Sequence, residues 1–171
     1  KCIWLDYPRL LADGLKELHD IAADDVRASS LVGAYYRGLC EWLADTHEVI
    51  PYAYDWRRSI VDSAARLAKE VEKVLERSAG PVRFVAHGMG GLVVRQMIKD
   101  APELWERVCA HEDGRLVMLG TPNHGTHATV DALLGTASTV QQLAMLDLER
   151  GLTGVLDVIQ DALKTGEDVA F

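Results

Sequence analysis

The stretch Ala86-His87-Gly88-Met89-Gly90 has the spacing of a turn that can present a nucleophile. In the pattern G-x-S-x-G, small residues on both sides of a serine let a strand turn sharply into a helix, which leaves the serine hydroxyl above the sheet. A helix beginning at Met89 would direct its N-terminal dipole and the Met89 backbone N–H toward a developing oxyanion. Because glycine stands at the nucleophile position, the pattern predicts the frame of a catalytic turn without its reacting atom. We expect Gly88 to adopt a backbone conformation that is strained for other residues.

The sequence argues against a phosphate-binding loop and against a metal site. A dinucleotide fingerprint needs a third small residue where Val93 stands, and it needs an acidic residue after the next strand, where the chain has Gly120-Thr121. The sequence has no GK[ST], CxxC or HExxH pattern. We therefore predict no cofactor and no metal.

Two other polar segments, "YDWRRS" and "GTPNHGTH", follow predicted strands. Ligands of parallel sheets bind at the carboxyl ends of the strands, so these segments and the glycine turn are expected to meet at one edge. On this basis Trp56, Asn123 and His124 are predicted to line a substrate site. In the alternative interpretation Trp56 packs, Arg57 pairs with Asp55 or with a nearby carbonyl, and "NHGTH" is a polar loop.

The elements that must position these residues alternate between strand and helix. Short apolar runs predict strands, and a period of about 3.6 residues predicts helices. The predicted strands are 2–5, 49–54, 82–86 and 115–120, and the predicted helices are 8–19, 31–46, 59–77 and 89–99. The run at 82–86 is apolar enough to be buried on both faces of a parallel sheet, and the run at 115–120 predicts another short buried strand. This order predicts an α/β fold, with parallel strands joined by helices.

Composition narrows the function classes. The 171 residues carry a formal net charge of −8, which argues against binding nucleic acid through a basic face. No apolar run approaches the roughly 18 residues of a membrane-spanning helix. Three widely spaced cysteines, Cys2, Cys40 and Cys109, suit reduced and buried thiols. The chain starts without methionine, so an upstream portion is expected, and a cytoplasmic location is the default expectation.

Four segments resemble one enzyme family in its own order, from Ile3 to Thr126. "VAHGMGGLVVR" resembles the VAHSMGGLVAR stretch of α/β-hydrolase lipases, and "PYAYDWRRS" is similar to the PYDWR segment of the lecithin:cholesterol acyltransferase-like branch. "IWLDYPRLL" and "VMLGTPNHGT" resemble the IWLD and LGTP-x-x-GS segments of that branch. The resemblance implies an α/β-hydrolase fold and acyl-ester cleavage or transfer through a serine acyl-enzyme.

The resemblance also implies what this sequence lacks. The catalytic serine of the family falls on Gly88, its oxyanion loop before Lys1, and its catalytic Asp and His beyond Phe171. We therefore expect a single partial α/β-hydrolase domain over 1–171, without the first strand, the oxyanion loop and the last strands. Residues 126–171 are a candidate helical cap or lid, in which two amphipathic segments separated near Gly151 either form a lipid-facing surface or pack on the sheet.

Three hypotheses for function follow. The first is a degenerate hydrolase domain that binds an acyl or lipid ligand, scaffolds or regulates. The second is an active serine lipase or esterase whose serine has been replaced in this sequence. The third is an interaction module of a larger parent chain, for which the fold is only a support. An apolar pocket that accepts acyl chains would separate the first from the third.

Overall fold

A computed structural model describes residues 27–138 and 141 of the chain. Their elements alternate as the sequence predicts, with two short parallel strands and five helices. In chain order they are α1 (Gly33–Ala44), α2 (Ile60–Arg77), β1 (Arg83–His87), α3 (Met89–Asp100), α4 (Pro102–Cys109), β2 (Arg115–Leu119) and α5 (His127–Leu133).

The core lies between one face of the strands and three helices. β1 and β2 pair in parallel, with Val85 opposite Val117 and His87 opposite Leu119. Helices α2, α3 and α4 supply most of the buried apolar side chains, and β1 contributes Ala86. The buried cluster consists of Ala64, Leu67, Val71, Ala86, Val93, Val94, Met97, Leu104 and Val108. This layer of helices holds the start of α3 in a fixed position at the end of β1.

Helix α2 has the cap and the apolar stripe that its sequence predicts. The hydroxyl of Ser59 accepts a hydrogen bond from the Val61 N–H at 3.1 Å, which satisfies one of the unpaired donors of the first turn. Leu67 and Val71, which lie four residues apart, face the core. The strand β1 and the helix α3 also confirm the predictions for 82–86 and 89–99 within one or two residues.

The prediction that the strand at 82–86 is buried on both faces, and that the strand at 115–120 is buried, is wrong for the described residues. Val85 and Val117, which are register partners and share a face, are 47% and 43% exposed. Helices α2, α3 and α4 pack on the opposite face, where Ala86 lies. An apolar run shows that a strand is in a sheet, but it does not show that both faces of that sheet are covered.

Two smaller predictions also need correction. Residues 49–54 form no strand in the described structure; the Tyr52 hydroxyl donates to the Ser63 carbonyl of α2 at 2.9 Å, and Pro51 has no N–H for a ladder. The thiol of Cys109 is exposed rather than buried, and Cys40 is partly exposed.

Several predictions lie outside the described residues, namely the strand at 2–5, the helix at 8–19, the two amphipathic segments after residue 141, and Cys2. The cap over 126–171 stays a prediction, since only its first part, including α5, is described. Among the described helices, none is both long and apolar enough to cross a membrane.

Candidate functional site

Gly88 lies at the sharp turn between β1 and α3, as its N-terminal cap. Its backbone has φ 54° and ψ −128°, a conformation that residues with a side chain rarely adopt without strain. The Gly88 N–H donates to the carbonyl of Leu119 in β2 at 2.9 Å, and its own carbonyl accepts from the Gly91 N–H at 3.1 Å. The predicted strained backbone at Gly88 is therefore confirmed.

The space above Gly88 is open. A Cβ atom placed on Gly88 would meet no atom within 4 Å outside the adjacent residues. Position 88 can thus hold a small side chain without a collision, and the only local penalty is the backbone strain. Met89, the first residue of α3, is half-buried beside this space. Its backbone N–H belongs to the first turn of the helix, where N–H groups have no partner within the helix.

Two other loops contact the first turn of α3. The hydroxyl of Tyr54 lies 3.8 Å from the Cβ position of Gly90. The side chain of Thr121, which follows β2, is packed so closely on Gly91 that a Cβ there would collide with its hydroxyl and its methyl group. The segment after residue 49 and the loop after β2 therefore meet the glycine turn at one edge of the sheet, as their sequence order predicts.

The loop after β2 is also tied to the middle of α3. Arg95 donates from Nη1 to the Asn123 side-chain oxygen at 2.8 Å. The hydroxyl of Thr121 is buried and has no hydrogen-bond partner within the described part of the chain. His124, in contrast, is exposed and makes no hydrogen bond or ion pair with another described residue. Asn123 is thus held by α3, whereas His124 takes no part in these contacts.

Asp55 and Arg57 form a buried ion pair. Arg57, which is 1% exposed, donates to both carboxylate oxygens of Asp55, from Nε at 2.8 Å and from Nη2 at 2.6 Å. Burial alone would raise the pKa of the Asp55 carboxyl, but the hydrogen bonds from Arg57 and the charges of Arg57 and Arg58 outweigh it and lower that pKa. The pairing favours a structural role for Arg57, while Trp56 is half-buried and stays a prediction as a substrate contact.

Tyr54 is a neutral polar group near the turn. Burial, followed by the neighbouring Tyr36 and Tyr52 phenols, raises the pKa of Tyr54 to about 12, so its hydroxyl keeps its proton at neutral pH. The Tyr36 hydroxyl and Nδ1 of His87 are 2.7 Å apart, and their rings meet edge to face. This contact agrees with a structural role for His87, next to the turn.

A cleft of about 360 Å³ lies on the other side of Tyr54. Its walls come from the segments before α1 and before α2 and from the first two turns of α2. Its lining residues are Arg27, Ala28, Tyr52, Ala53, Tyr54, Asp55, Arg58, Asp62, Ser63 and Arg66. No cluster of His, Cys, Asp and Glu able to hold a metal ion occurs among residues 27–138.

Sequence reasoning missed four side chains that shape this region, namely Tyr36, Tyr54, Arg95 and Thr121. The sequence contains a signal for one of them, Thr121. A glycine in the first turn of a helix, such as Gly91, predicts that another part of the chain approaches closely, and that part is Thr121. The partners of Arg95 and Tyr36 lie 28 and 51 residues away along the chain. No local pattern predicts such contacts.

Comparison with known proteins gives a consistent assignment. A family model described as lecithin:cholesterol acyltransferase matches residues 26–154. Two curated proteins, both named lysosomal phospholipase A and acyltransferase, are 28% identical to the chain: the dog protein over 114 residues, or 62% of the chain, and the mouse protein over 110 residues, or 60%. These matches cover 27% and 26% of the two relatives, so the chain spans about a quarter of their length. No solved structure matches.

Proposed function

Because the chain belongs to the lecithin:cholesterol acyltransferase family, which implies an α/β-hydrolase fold and a lipase- or acyltransferase-like function, we propose that it binds an acyl-lipid ester without cleaving it. The observation that carries this proposal is the backbone of Gly88. A nucleophile elbow requires a residue with a left-handed φ between a parallel strand and a helix. In this chain the residue with that φ is Gly88.

The surrounding residues support binding rather than turnover. With a serine at position 88, its oxygen would attack the ester carbonyl, and the Met89 N–H would donate to the oxyanion that forms. Glycine provides no oxygen, so no acyl-enzyme forms at this position. The open space at Gly88 and the dipole of α3 remain available to an ester carbonyl, which would be held as a ligand. Trp56, Asn123 and His124 are the proposed contacts around it.

The open space at Gly88 also favours a second function. Since a Cβ atom at this position meets no atom within 4 Å outside the adjacent residues, the turn is compatible with a serine, and an active serine esterase is the alternative. This alternative requires the Asp and His of a triad, which the resemblance leads us to expect beyond Phe171. The two functions therefore differ in whether residue 88 provides an oxygen nucleophile, and substitutions at this one position test the difference.

Fluorophosphonate labelling and p-nitrophenyl ester hydrolysis test the proposal. We expect the 171-residue chain to show neither, because loss of the nucleophile of a triad lowers turnover on the order of a million-fold. Gly88→Ser and Gly88→Ala form a matched pair, since both introduce the same backbone strain but only serine introduces an oxygen. In the 171-residue chain both variants should stay silent, because the acid and the base are expected beyond its end.

Binding is measured separately, with dihexanoylglycerol as a neutral ester probe. We expect saturable binding, with changes in amide chemical shifts at residues 88–91. Esterase activity of the unchanged chain would contradict the proposal, as would dihexanoylglycerol binding that leaves these amides unaffected. In a longer natural protein that carries the Asp and His, labelling of Gly88→Ser but not of Gly88→Ala would favour the alternative. The protein would then be a serine esterase in which the nucleophile is the only catalytic residue replaced.

A further inference from the structure

The hydroxyl of Tyr54 is a hydrogen-bond donor that the described part of the chain leaves unused. The Tyr54 ring packs against the buried core and is stacked on the ring of Tyr52, with 6.3 Å between the ring centroids. The Tyr52 hydroxyl donates to the carbonyl of Ser63, whereas the Tyr54 hydroxyl makes no hydrogen bond with another described residue. Packing therefore holds the ring of Tyr54 in place, while its O–H group is available to a ligand.

The backbone next to Tyr54 is fixed as well. The carboxylate of Asp55 accepts hydrogen bonds from the Arg57 backbone N–H at 3.2 Å and from the Arg57 side chain at 2.8 and 2.6 Å. The Asp55 carbonyl accepts from the Arg58 N–H at 3.1 Å. A side chain that is already ordered loses little conformational entropy when a ligand binds, so Tyr54 is a preorganised donor.

The Tyr54 hydroxyl lies beside the turn at Gly88. It is 3.8 Å from the Cβ position of Gly90, in the first turn of α3. Because the Cα–Cβ bonds of a helix tilt toward its N-terminus, this contact places the hydroxyl near the end of α3 that begins at the turn. No atom outside the adjacent residues lies within 4 Å of the Cβ position of Gly88. The hydroxyl and the open space above Gly88 are thus neighbours with room for a ligand atom between them.

The charge state of Tyr54 suits an uncharged ligand. Burial, followed by the neighbouring Tyr36 and Tyr52 phenols, raises the pKa of Tyr54 to about 12. The hydroxyl therefore keeps its proton at neutral pH and donates it to an acceptor. A carbonyl oxygen is such an acceptor, and it has two lone pairs, so it can accept from two donors at once.

We propose that the Tyr54 hydroxyl donates a hydrogen bond to the carbonyl oxygen of the ester held at the Gly88 turn, and that this bond makes the site selective for esters over ethers. The inference rests on the proposed function, because it names a further contact of that site. The Met89 N–H donates to the same oxygen from the start of α3, and Tyr54 donates from the segment between α1 and α2. An ether has no carbonyl oxygen, so a bound ether leaves both donors without a partner.

Nuclear magnetic resonance titration of the full 171-residue chain tests this inference with two probes of equal chain length. Dihexanoylglycerol has ester carbonyls, and dihexylglycerol has ether linkages in their place. We expect Tyr54→Phe to bind dihexanoylglycerol about fivefold more weakly, since one neutral hydrogen bond is lost, and to bind dihexylglycerol as the unchanged chain does. The preference for the ester should therefore fall about fivefold, which a general loss of structure would not produce. Equal weakening for both probes would overturn the inference.

Tyr52→Phe is the matched control. It removes a hydroxyl from the neighbouring ring, but this hydroxyl is bonded to Ser63 within the chain. Tyr52→Phe should therefore lower the midpoint of urea unfolding and keep the preference for the ester. Tyr54→Phe loses no hydrogen bond to a described residue, so it should keep the midpoint and lose the preference. An equal loss of preference in both variants would overturn the inference, because it would assign the effect to the packing of the two rings.

The outcomes also separate this inference from the proposed function. If dihexanoylglycerol shifts the amides of residues 88–91 and binds equally tightly to the unchanged chain and to Tyr54→Phe, the acyl site stands and Tyr54 is not one of its contacts. Equal affinities of the unchanged chain for the ester and the ether would overturn the selectivity. If the unchanged chain binds neither probe, both the proposed function and this inference are contradicted.

Discussion

At the scale of single residues, Gly88 and Gly91 are glycines for different physical reasons. Gly88 has a left-handed φ with open space above it, whereas Gly91 has ordinary helical geometry with Thr121 against its Cα. A side chain is therefore disfavoured at position 88 by backbone strain and at position 91 by collision. The two reasons predict different responses to the same added methyl group.

Gly88→Ala and Gly91→Ala test this difference. In Gly88→Ala we expect the free energy of unfolding to fall by about 0.5–2 kcal/mol, because strain is only partly offset by the lower entropy of the unfolded chain. In Gly91→Ala the methyl group forces α3 and the loop after β2 apart, which costs about 1–3 kcal/mol despite the better helix propensity of alanine. Urea unfolding followed by circular dichroism measures both changes.

A second substitution identifies the cause. Thr121→Gly removes the atoms that collide with Cβ at position 91, so it should reduce the loss caused by Gly91→Ala and leave the loss caused by Gly88→Ala unchanged. Additive losses in the pair Gly91→Ala and Thr121→Gly would show that the close approach does not limit position 91.

The buried pair of Asp55 and Arg57 makes stability depend on pH. The pKa of Asp55 in the folded chain lies below its unfolded value of about 3.9. Its stabilising contribution is therefore fully present above that unfolded value and is lost as the pH falls through the folded pKa. We expect Asp55→Asn to lower the free energy of unfolding at neutral pH by about 3–5 kcal/mol, since Arg57 stays buried without its carboxylate.

The loss should shrink as the medium becomes acidic, because protonated Asp55 and asparagine are both neutral. Denaturant unfolding of both proteins between about pH 7 and pH 2 measures the difference. Asp113→Asn is the control, since Asp113 forms an exposed pair with Arg115 at 3.0 Å and such pairs contribute about 0–1 kcal/mol. A pH-independent gap between Asp55→Asn and the unchanged chain would contradict this account.

At the scale of elements, the two faces of the β1–β2 sheet differ in stability. Met97 of α3 is 1% exposed in the core, whereas Val117 lies on the open face. We expect Met97→Ala to lower the free energy of unfolding by about 2–5 kcal/mol and Val117→Ala by about 1 kcal/mol or less. Thermal unfolding of both variants measures the contrast. Equal losses would mean that the open face is covered by another part of the chain in solution.

Helices and strands with strong patterns were predictable. The stripe of α2 and the apolar run of β1 predicted their elements within one or two residues, because burial on one side selects such patterns. Residues 49–54 have the composition of a strand, but strand formation needs a partner for the backbone, and among the described residues the sheet pairs only β1 and β2. The amino-acid composition of a segment shows which secondary structures it can form, and the backbone partners available to it decide which one it does form.

At the scale of the whole molecule, sequence order predicted which loops meet, but not how they touch. The carboxyl ends of parallel strands share an edge, so the approach of the loop after β2 to the Gly88 turn followed from topology alone. The contact of Arg95 with Asn123 and that of Tyr54 with Gly90 depend on tertiary distances. The assignment of site residues stays a prediction for Gly88, Met89, Trp56, Asn123 and His124.

The hydrogen bond from Gly88 to Leu119 has a further consequence, for hydrogen exchange. The acceptor lies in β2, 31 residues further along the chain, so the Gly88 amide is protected only while β2 is docked. Its exchange with deuterium should therefore follow the opening of the strand pair rather than the fraying of α3, the helix it precedes. A local opening of β2 would release the turn at Gly88 while α3 stays intact. The turn therefore keeps its conformation only as long as β2 stays paired with β1.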